Sequence, residues 1–185
     1  MENIGNPVSA NAIARALKSQ GHRVSVDTVD NDLALMCRAF LLYQCERFDL
    51  RGKERLRTNG KYYIADIGLR NQLLGFHPGN RGHILENIVY LELKRQGYDL
   101  YTGKLDQQEV DFLAVKEQQI HYIQVALSAL DESVLHRELA PFYSIQDNYP
   151  KYLITLDQLD LSQDGIIHLN LFDFLLKDTP LRDKT

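Results

Sequence analysis

A carboxylate within an apolar helical segment is the first residue in this chain that could do chemistry. The apolar residues of 84–93 recur at spacings of three and four, which predicts a helix that stops before Gly97. Glu86 shares one face of this helix with Tyr90 and Leu93, so we expect it to point inward. A buried carboxylate needs a partner that pairs with its charge or donates hydrogen bonds to it.

Two further polar groups lie in a predicted hairpin downstream. Residues 108–115 and 119–126 are rich in β-formers and are separated by a short polar turn. A register centred on that turn places Asp111 directly opposite Gln124, with Glu109 on the same face at the next pair. Glu86, Asp111 and Gln124 therefore form the candidate catalytic set, although a slip of one residue would destroy the arrangement.

Clustered carboxylates have two interpretations at this point. Hard divalent cations prefer carboxylate and carbonyl oxygens, so Glu86, Asp111 and Glu109 are candidate ligands for Mg²⁺ or Mn²⁺. Alternatively, Glu86 and Asp111 form a buried polar knot that is satisfied by Gln124 and backbone amides. The spacing of these residues leaves both interpretations open.

Composition and charge favour a protein of two modules. The 185 residues are 44% hydrophobic and 25% charged, as is ordinary for a globular chain. Residues 1–80 carry 11 basic and 8 acidic side chains, a balance of +3, and residues 81–185 carry 10 and 17, a balance of −7. Any surface for nucleic acid is therefore expected in the first part. The sequence contains no apolar run long enough to span a bilayer and no signal-peptide pattern, which predicts a cytoplasmic protein without membrane contact.

The first part has the element order of a winged helix. Two helices, the first capped by Ser9, precede a hairpin with a basic turn at 51–53. In a winged helix the second helix enters the major groove of DNA and the wing contacts phosphate. The acidic residues 27, 30 and 32 of the second helix oppose this role. The candidate nucleic-acid contacts are Arg23, Arg38, Arg51, Lys53, Arg55 and Arg57.

The second part alternates strands and helices around one hairpin. Strands are predicted at 151–155 and 165–169, and helices at 132–145 and 170–176. This pattern predicts an α/β (α+β) fold, in which a mixed sheet is flanked by helices. The expected division is 1–75 for the winged-helix segment, 81–178 for the second domain and 179–185 for a tail.

Several separated motifs resemble one protein family. They are Ser9-Ala10-Asn11, the run 62–70 (YYIADIGLR), the run 85–93 (LENIVYLEL), Glu109-Val110-Asp111-Phe112, Tyr122-Ile123-Gln124-Val125 and Tyr149-Pro150-Lys151-Tyr152. The chain resembles the C-terminal part of predicted AAA+-type ATPases of bacteria and archaea that carry a DUF4143 region. This resemblance implies a winged helix followed by a restriction-endonuclease-like domain of the PD-(D/E)XK type.

The chain departs from that family pattern at two points. It has no P-loop, since neither of its Gly-Lys pairs has the required upstream glycine, and the ATPase module is therefore absent from this sequence. The (D/E)-x-K motif of the nuclease fold falls on residues 124–126, where Gln124 is neutral and Ala126 replaces the lysine. Lys94, Lys104 or Lys116 could supply an ammonium from elsewhere.

Three functions remain in competition. The first is an accessory region of an ATPase, with a catalytically degenerate nuclease-like domain that binds nucleic acid, the ATPase module or another protein. The second is an active metal-dependent nuclease, which would need Mg²⁺ or Mn²⁺. The third is a docking or oligomerisation module.

Overall fold

The protein is an α/β structure built on one mixed sheet, as the sequence predicts. The computed structural model describes residues 5–75, 78–176 and 181, without the side chains of residues 57–59 and 78. Its elements in chain order are α1 (Ala10–Ser19), α2 (Val26–Arg38), β1 (Leu42–Asp49), β2 (Glu54–Ile64), α3 (Ile67–Leu74), a 3₁₀ turn (Pro78–Asn80), α4 (Arg81–Arg95), β3 (Asp99–Leu105), β4 (Gln108–Lys116), β5 (Gln119–Val125), α5 (Glu132–Ser144), β6 (Lys151–Thr155), β7 (Ile166–Asn170) and α6 (Leu171–Leu176).

The sheet has seven strands in the order β2-β1-β3-β4-β5-β6-β7. Strands β1 and β2, β3 and β4, and β4 and β5 pair antiparallel, whereas β1 and β3, β5 and β6, and β6 and β7 pair parallel. The pairing of β1 with β3 joins the first hairpin to the strands of the second segment. The hairpin that the sequence suggested as a wing is thus continuous with the main sheet.

Helices cover both faces of the sheet. One apolar cluster joins α4 and α6 to the sheet and includes Val89, Phe112 and Phe174, all 1% exposed or less. A second cluster joins α5 to the sheet and includes Leu113 and Phe142. Burial of these side chains supplies the main driving force for folding. A third, small cluster holds α1 against α2.

Helix α4 begins and ends largely as the sequence indicates. It runs from Arg81 to Arg95, and Gly97 follows with a φ of 87°, a left-handed conformation that glycine adopts readily. The amide of Tyr98 donates to the carbonyl of Leu93, which satisfies an acceptor that the helix end would otherwise leave free. The helix therefore presents Glu86 at a fixed position.

The β4–β5 hairpin has the predicted register. Its ladder pairs Phe112 with Ile123 and Lys116 with Gln119, so Asp111 and Gln124 are the next residues along. The two turn residues, Glu117 and Gln118, both have positive φ values, 49° and 69°, as a tight two-residue hairpin loop requires. The ladder ends before it reaches Glu109.

The structure leaves the domain division as a prediction. Residues 5–75 include β1 and β2, which share a sheet with the later strands. The expected tail 179–185 lies outside the described residues apart from Leu181, which is buried in the first apolar cluster.

Candidate functional site

A buried lysine lies at the centre of the predicted acidic site. The side chain of Lys61, on β2, is only 4% exposed. Its Nζ lies 2.8 Å from Glu86 Oε1, 2.8 Å from Glu109 Oε1 and 3.5 Å from Asp111 Oδ1. An ammonium has three N–H donors, and three carboxylates surround this one. We call Lys61, Glu86, Glu109 and Asp111 the Lys61 cluster.

Contacts between β2 and α4 fix the position of Lys61 relative to Glu86. Asn87 Nδ2 donates to the carbonyl of Ile64, and the amide of Ile64 donates to Asn87 Oδ1, at 2.9 and 2.8 Å. The residue before the lysine is Gly60, where an added Cβ would lie 2.8 Å from the carbonyl oxygen of Cys45. Only glycine permits this close approach of β1 and β2 without a shift of the backbone.

Glu86 accepts hydrogen bonds from Lys61 and Tyr63 and lies near His83. Tyr63 Oη donates to Glu86 Oε1 at 2.6 Å, and its ring stacks on Tyr90 with centroids 4.2 Å apart. His83 Nδ1 lies 3.8 Å from Glu86 Oε2. Above this oxygen lies the backbone of Gly5, where a Cβ would be 3.1 Å from Glu86 Oε2. The chain near Gly5 therefore covers this side of the cluster.

Asp111 and Gln124 are joined by the hydrogen bonds that the register allows. The Asp111 amide donates to Gln124 Oε1, and the Val125 amide donates to Asp111 Oδ2, both at 3.0 Å. Gln124 Nε2 donates to Glu138 Oε2 on α5 at 3.3 Å. The neutral amide thus links Asp111 to a further carboxylate.

Lys61, Asp111 and Glu86 have shifted pKa values. Burial alone would lower the pKa of Lys61, but attraction to Asp111, Glu86 and Glu109 more than offsets this and raises it, so the ammonium stays charged. Burial and repulsion from Glu86 raise the pKa of Asp111 to about 7. Burial opposes ionisation of Glu86, but the nearby His83 ring, attraction to Lys61 and the hydrogen bonds from Lys61 and Tyr63 lower its pKa.

The predicted metal ligands converge on an ammonium. Glu86, Asp111 and Glu109 all contact Lys61 Nζ, which lies where a cation bound by these oxygens would be. In the part of the chain that the structure describes, no group of three or more His, Cys, Asp or Glu side chains has the arrangement needed to hold a metal ion. In this geometry the residues do not fit Mg²⁺ or Mn²⁺.

The sequence-based prediction did not include Lys61, and the three lysines offered instead make no described ion pair with the cluster. Lys94 and Lys116 donate to the carbonyls of Tyr98 and Gln96 respectively. Lys104 makes no ion pair with the cluster among the described contacts. One signal was present: Lys61 alternates with Tyr63 along a predicted strand, which places the lysine on the same face as an aromatic residue.

The predicted nucleic-acid contacts do not form one group. Arg51 and Lys53 lie at the turn between β1 and β2, and Arg55 lies on β2 with its guanidinium 4.8 Å from the centre of the Tyr101 ring. Arg51 pairs with Asp106 at 2.9 Å. Arg23 precedes α2 and Arg38 is its last residue, and both are exposed. The side chain of Arg57 lies outside the described residues.

A second buried carboxylate has neutral partners instead. Asp157, 8% exposed, accepts hydrogen bonds from the Ala129 amide and Ser128 Oγ at 2.7 Å and from Thr155 Oγ1 at 3.0 Å. Burial opposes its ionisation, but these donors lower its pKa. Thr155 Oγ1 also lies 2.8 Å from His168 Nε2, so the network connects the end of β6 to the middle of β7.

Comparison with protein families assigns a family to the segment that contains the three carboxylates of the Lys61 cluster. Residues 81–172 match the family described as "Domain of unknown function (DUF4143)". The chain contains a DUF4143 domain. Residues 1–80 match a separate family, "Domain of unknown function (DUF8612)". The cluster therefore joins Lys61 of the DUF8612 match to three carboxylates of the DUF4143 domain.

Two curated relatives are similar in sequence to this chain. An uncharacterized protein of Haemophilus influenzae is 39% identical over 177 residues, which are 95% of this chain and 44% of that protein. An uncharacterized protein of Methanocaldococcus jannaschii is 33% identical over 141 residues, which are 74% of this chain and 31% of that protein. The chain thus spans less than half the length of either relative. No solved structure gives a significant match. No helix among the described residues has the length and apolar character needed to cross a bilayer.

Proposed function

We propose that this chain is a non-catalytic accessory region of a longer protein, with a nuclease-like acidic site that Lys61 neutralises. In this role the DUF4143 domain binds nucleic acid or a protein partner and does not cleave phosphodiesters. The observation that carries the proposal is the contact of Lys61 Nζ with Glu86, Glu109 and Asp111.

The ammonium occupies the space that a metal-dependent nuclease needs for its cation. Metal catalysis of phosphodiester cleavage requires open coordination positions for water and for phosphate oxygens. Here Lys61 is 4% exposed and its position is fixed by β2 and α4. The neutral Gln124 further reduces the charge that would attract a divalent cation. A cation would have to displace a fully paired lysine from a buried site, which is costly.

The length of the relatives supports a role within a larger protein. The matched segment is 44% of the Haemophilus influenzae relative, so that protein has room for a further module. The resemblance to AAA+-type ATPases suggests an ATPase as this module. The winged-helix and PD-(D/E)XK interpretations belong to the same proposal.

One observation favours active nuclease chemistry as a second candidate. The sequence lacks a lysine at Ala126, yet Lys61 brings an ammonium within 3.5 Å of Asp111. An ammonium beside a metal-bound phosphate could stabilise the charge that develops in the transition state. In this alternative Mg²⁺ or Mn²⁺ displaces Lys61 from the carboxylates when substrate binds.

The two candidates predict different responses of the wild-type protein to Mn²⁺. If the ammonium takes the place of a cation, the wild-type protein gains no thermal stability from Mn²⁺. Lys61→Ala leaves three carboxylates around an empty space and gains about 1.4 kcal/mol, or about 3–5 °C in melting temperature, at a tenfold excess over Kd. Lys116→Ala is the matched control, since Lys116 contacts a backbone carbonyl and no carboxylate of the cluster.

A cleavage assay completes the test. Plasmid, single-stranded DNA and RNA are incubated with wild-type protein, Asp111→Ala and Lys61→Ala in Mg²⁺ or Mn²⁺. The accessory role predicts no cleavage by any of them. Cleavage by the wild-type protein that is lost in both variants, together with Mn²⁺ stabilisation of the wild type, would refute the accessory role and establish the nuclease.

A further inference from the structure

A large cavity lies between the basic turn of the first hairpin and the loop after α5. It encloses about 630 Å³, within the usual range for small-ligand sites. Its walls come from the α5 side of the sheet, which holds the second apolar cluster, whereas Glu86 lies on α4. The cavity is therefore separate from the Lys61 cluster.

The interior of the cavity is apolar and partly aromatic. The lining includes Leu105, Leu113 and Ile120 together with the rings of Phe48, Tyr122 and Tyr149. Tyr122 Oη donates to Asp147 Oδ2 at 2.6 Å, so the Tyr122 hydroxyl is already paired and its ring is left as an apolar surface. Aromatic walls favour a flat ring, which they contact by stacking or edge-to-face packing.

Two cations lie at the mouth of the same cavity. Arg51 and Lys53 line it from the β1–β2 turn, and both are exposed. Arg51 is oriented by its ion pair with Asp106, whereas Lys53 makes no ion pair among the described residues. The one carboxylate among the lining residues, Asp147, accepts from Tyr122 Oη and from the Tyr149 amide. Its oxygens are thus occupied by hydrogen bonds, Arg51 is partly balanced by Asp106, and Lys53 is the cation at the mouth that most favours an anionic group.

We propose that this cavity binds one nucleotide, with the base among the aromatic rings and the phosphate at Arg51 and Lys53. A planar base joined to an anionic phosphate is the chemistry that an apolar aromatic interior with a cationic mouth would recognise. The ligand is either a free nucleotide or the phosphorylated end of a single strand. The inference rests on the proposed binding role and gives it a ligand and a location, but it does not use the Lys61 cluster.

The test measures the binding of four probes to the full chain, by calorimetry or with a fluorescent label. They are thymidine, thymidine 5′-monophosphate, and oligo(dT) with and without a 5′-phosphate. We expect each phosphorylated probe to bind at least about tenfold more tightly than its unphosphorylated partner, because it adds charge-assisted contacts. Affinity should fall as salt rises, with a slope that reflects the phosphate contacts. Equal affinity for the monophosphate and the phosphorylated strand would identify a free nucleotide, and tighter binding of the strand would identify a strand end.

Variants locate the site. Lys53→Ala combined with Arg51→Ala should remove the preference for phosphate, whereas Arg15→Ala, which changes an exposed arginine on α1 away from the cavity, should not. Ser144→Trp places an indole in the cavity from an exposed position at the end of α5 and should abolish binding. Tyr149→Ala is a second, milder variant in case the indole perturbs folding, and it should weaken binding of all four probes.

The inference fails if no probe binds at about 1 mM, the weak end of measurable affinity. It also fails if folded Ser144→Trp and Tyr149→Ala bind as tightly as the wild type. In that second case nucleic-acid binding would occur elsewhere on the protein, and the accessory role would still stand. Divalent-cation stabilisation of the wild-type protein with cleavage would refute the accessory role whatever the cavity binds.

Discussion

Two aspartates in this fold, the buried Asp157 and the largely buried Asp111, show how differently a protein can treat the same side chain. Asp157 is surrounded by neutral donors, two hydroxyls and an amide, and its pKa is lowered. Asp111 shares one ammonium with two other carboxylates, and its pKa is raised to about 7. Dedicated hydrogen bonds stabilise the ionised form, whereas crowding of like charges opposes it.

The difference indicates which of the two regions is a site and which is structural. Hydrogen bonds at Asp157 satisfy the polar groups where β6 ends, and the aspartate has no unpaired charge to offer a ligand. At the Lys61 cluster three carboxylates share one positive charge, so the group is sensitive to any added cation. Strongly perturbed groups that cluster in this way are typical of functional sites and their remnants.

Loss of the shared ammonium should have the largest effect. Lys61→Ala leaves Glu86, Glu109 and Asp111 without a counterion in a buried position, and we expect it to destabilise the protein by about 3–5 kcal/mol. Urea unfolding monitored by circular dichroism measures this effect. Lys116→Ala should change stability by less than about 1 kcal/mol, since that lysine makes no ion pair with the cluster.

A second substitution distinguishes charge from packing. Adding Glu86→Gln to Lys61→Ala removes one uncompensated carboxylate and should recover part of the loss, about 1–2 kcal/mol. The opposite result would be a double variant that is less stable than Lys61→Ala by the full amount that Glu86→Gln costs in the wild-type protein. That result would mean that charge does not hold the cluster together, and the contrast drawn with Asp157 would then be wrong.

Substitution of Asp157 should reduce stability less than substitution of Lys61. Asp157→Ala removes the acceptor of the Ala129 amide and of two hydroxyls, and we expect a loss of about 1–3 kcal/mol. Asp157→Asn keeps one carbonyl oxygen and should cost less than Asp157→Ala. A loss from Asp157→Ala as large as that from Lys61→Ala would mean that buried hydrogen bonds and buried ion pairs contribute alike in this fold.

Most of the local structure of the Lys61 cluster was predictable from sequence. The periodicity of 84–93 gave α4 and the inward position of Glu86, and the polar turn gave the hairpin register that brings Asp111 next to Gln124. These features depend on contacts between neighbouring elements, where sequence spacing is informative. The α/β architecture followed from the order of strands and helices in the same way.

Lys61 could not be assigned because its contacts are long-range. Strands β1 and β3 lie between β2 and β4 in the sheet, and the parallel pairing of β1 with β3 brings the first hairpin to the acidic residues. From sequence alone, β2 was predicted to belong to the wing of a separate winged-helix domain. Lys61 and the carboxylates were therefore assigned to different domains. No spacing rule connects residues that far apart.

The two aspartates should also differ in the sign of their pH dependence. Asp111 has a folded pKa of about 7, above the value of about 3.9 for an unfolded chain, so the folded state binds its proton more tightly. Stability from this group is therefore present at low pH and is lost as pH rises through about 4 to 7, by at most about 1.4 kcal/mol per pH unit. Asp111→Asn should flatten the stability profile in that window.

Asp157 should show the opposite sign. Its lowered pKa means that its contribution is present above the unfolded value of about 3.9 and is lost as pH falls below it. Asp157→Asn should thus flatten only the acid limb and leave the profile between pH 5 and 8 parallel to that of the wild type. Urea unfolding of both variants from pH 3 to 8 measures the two slopes. If Asp111→Asn changed only the acid limb, the pKa of Asp111 would be lowered like that of Asp157, and crowding by the other carboxylates would not control its ionisation.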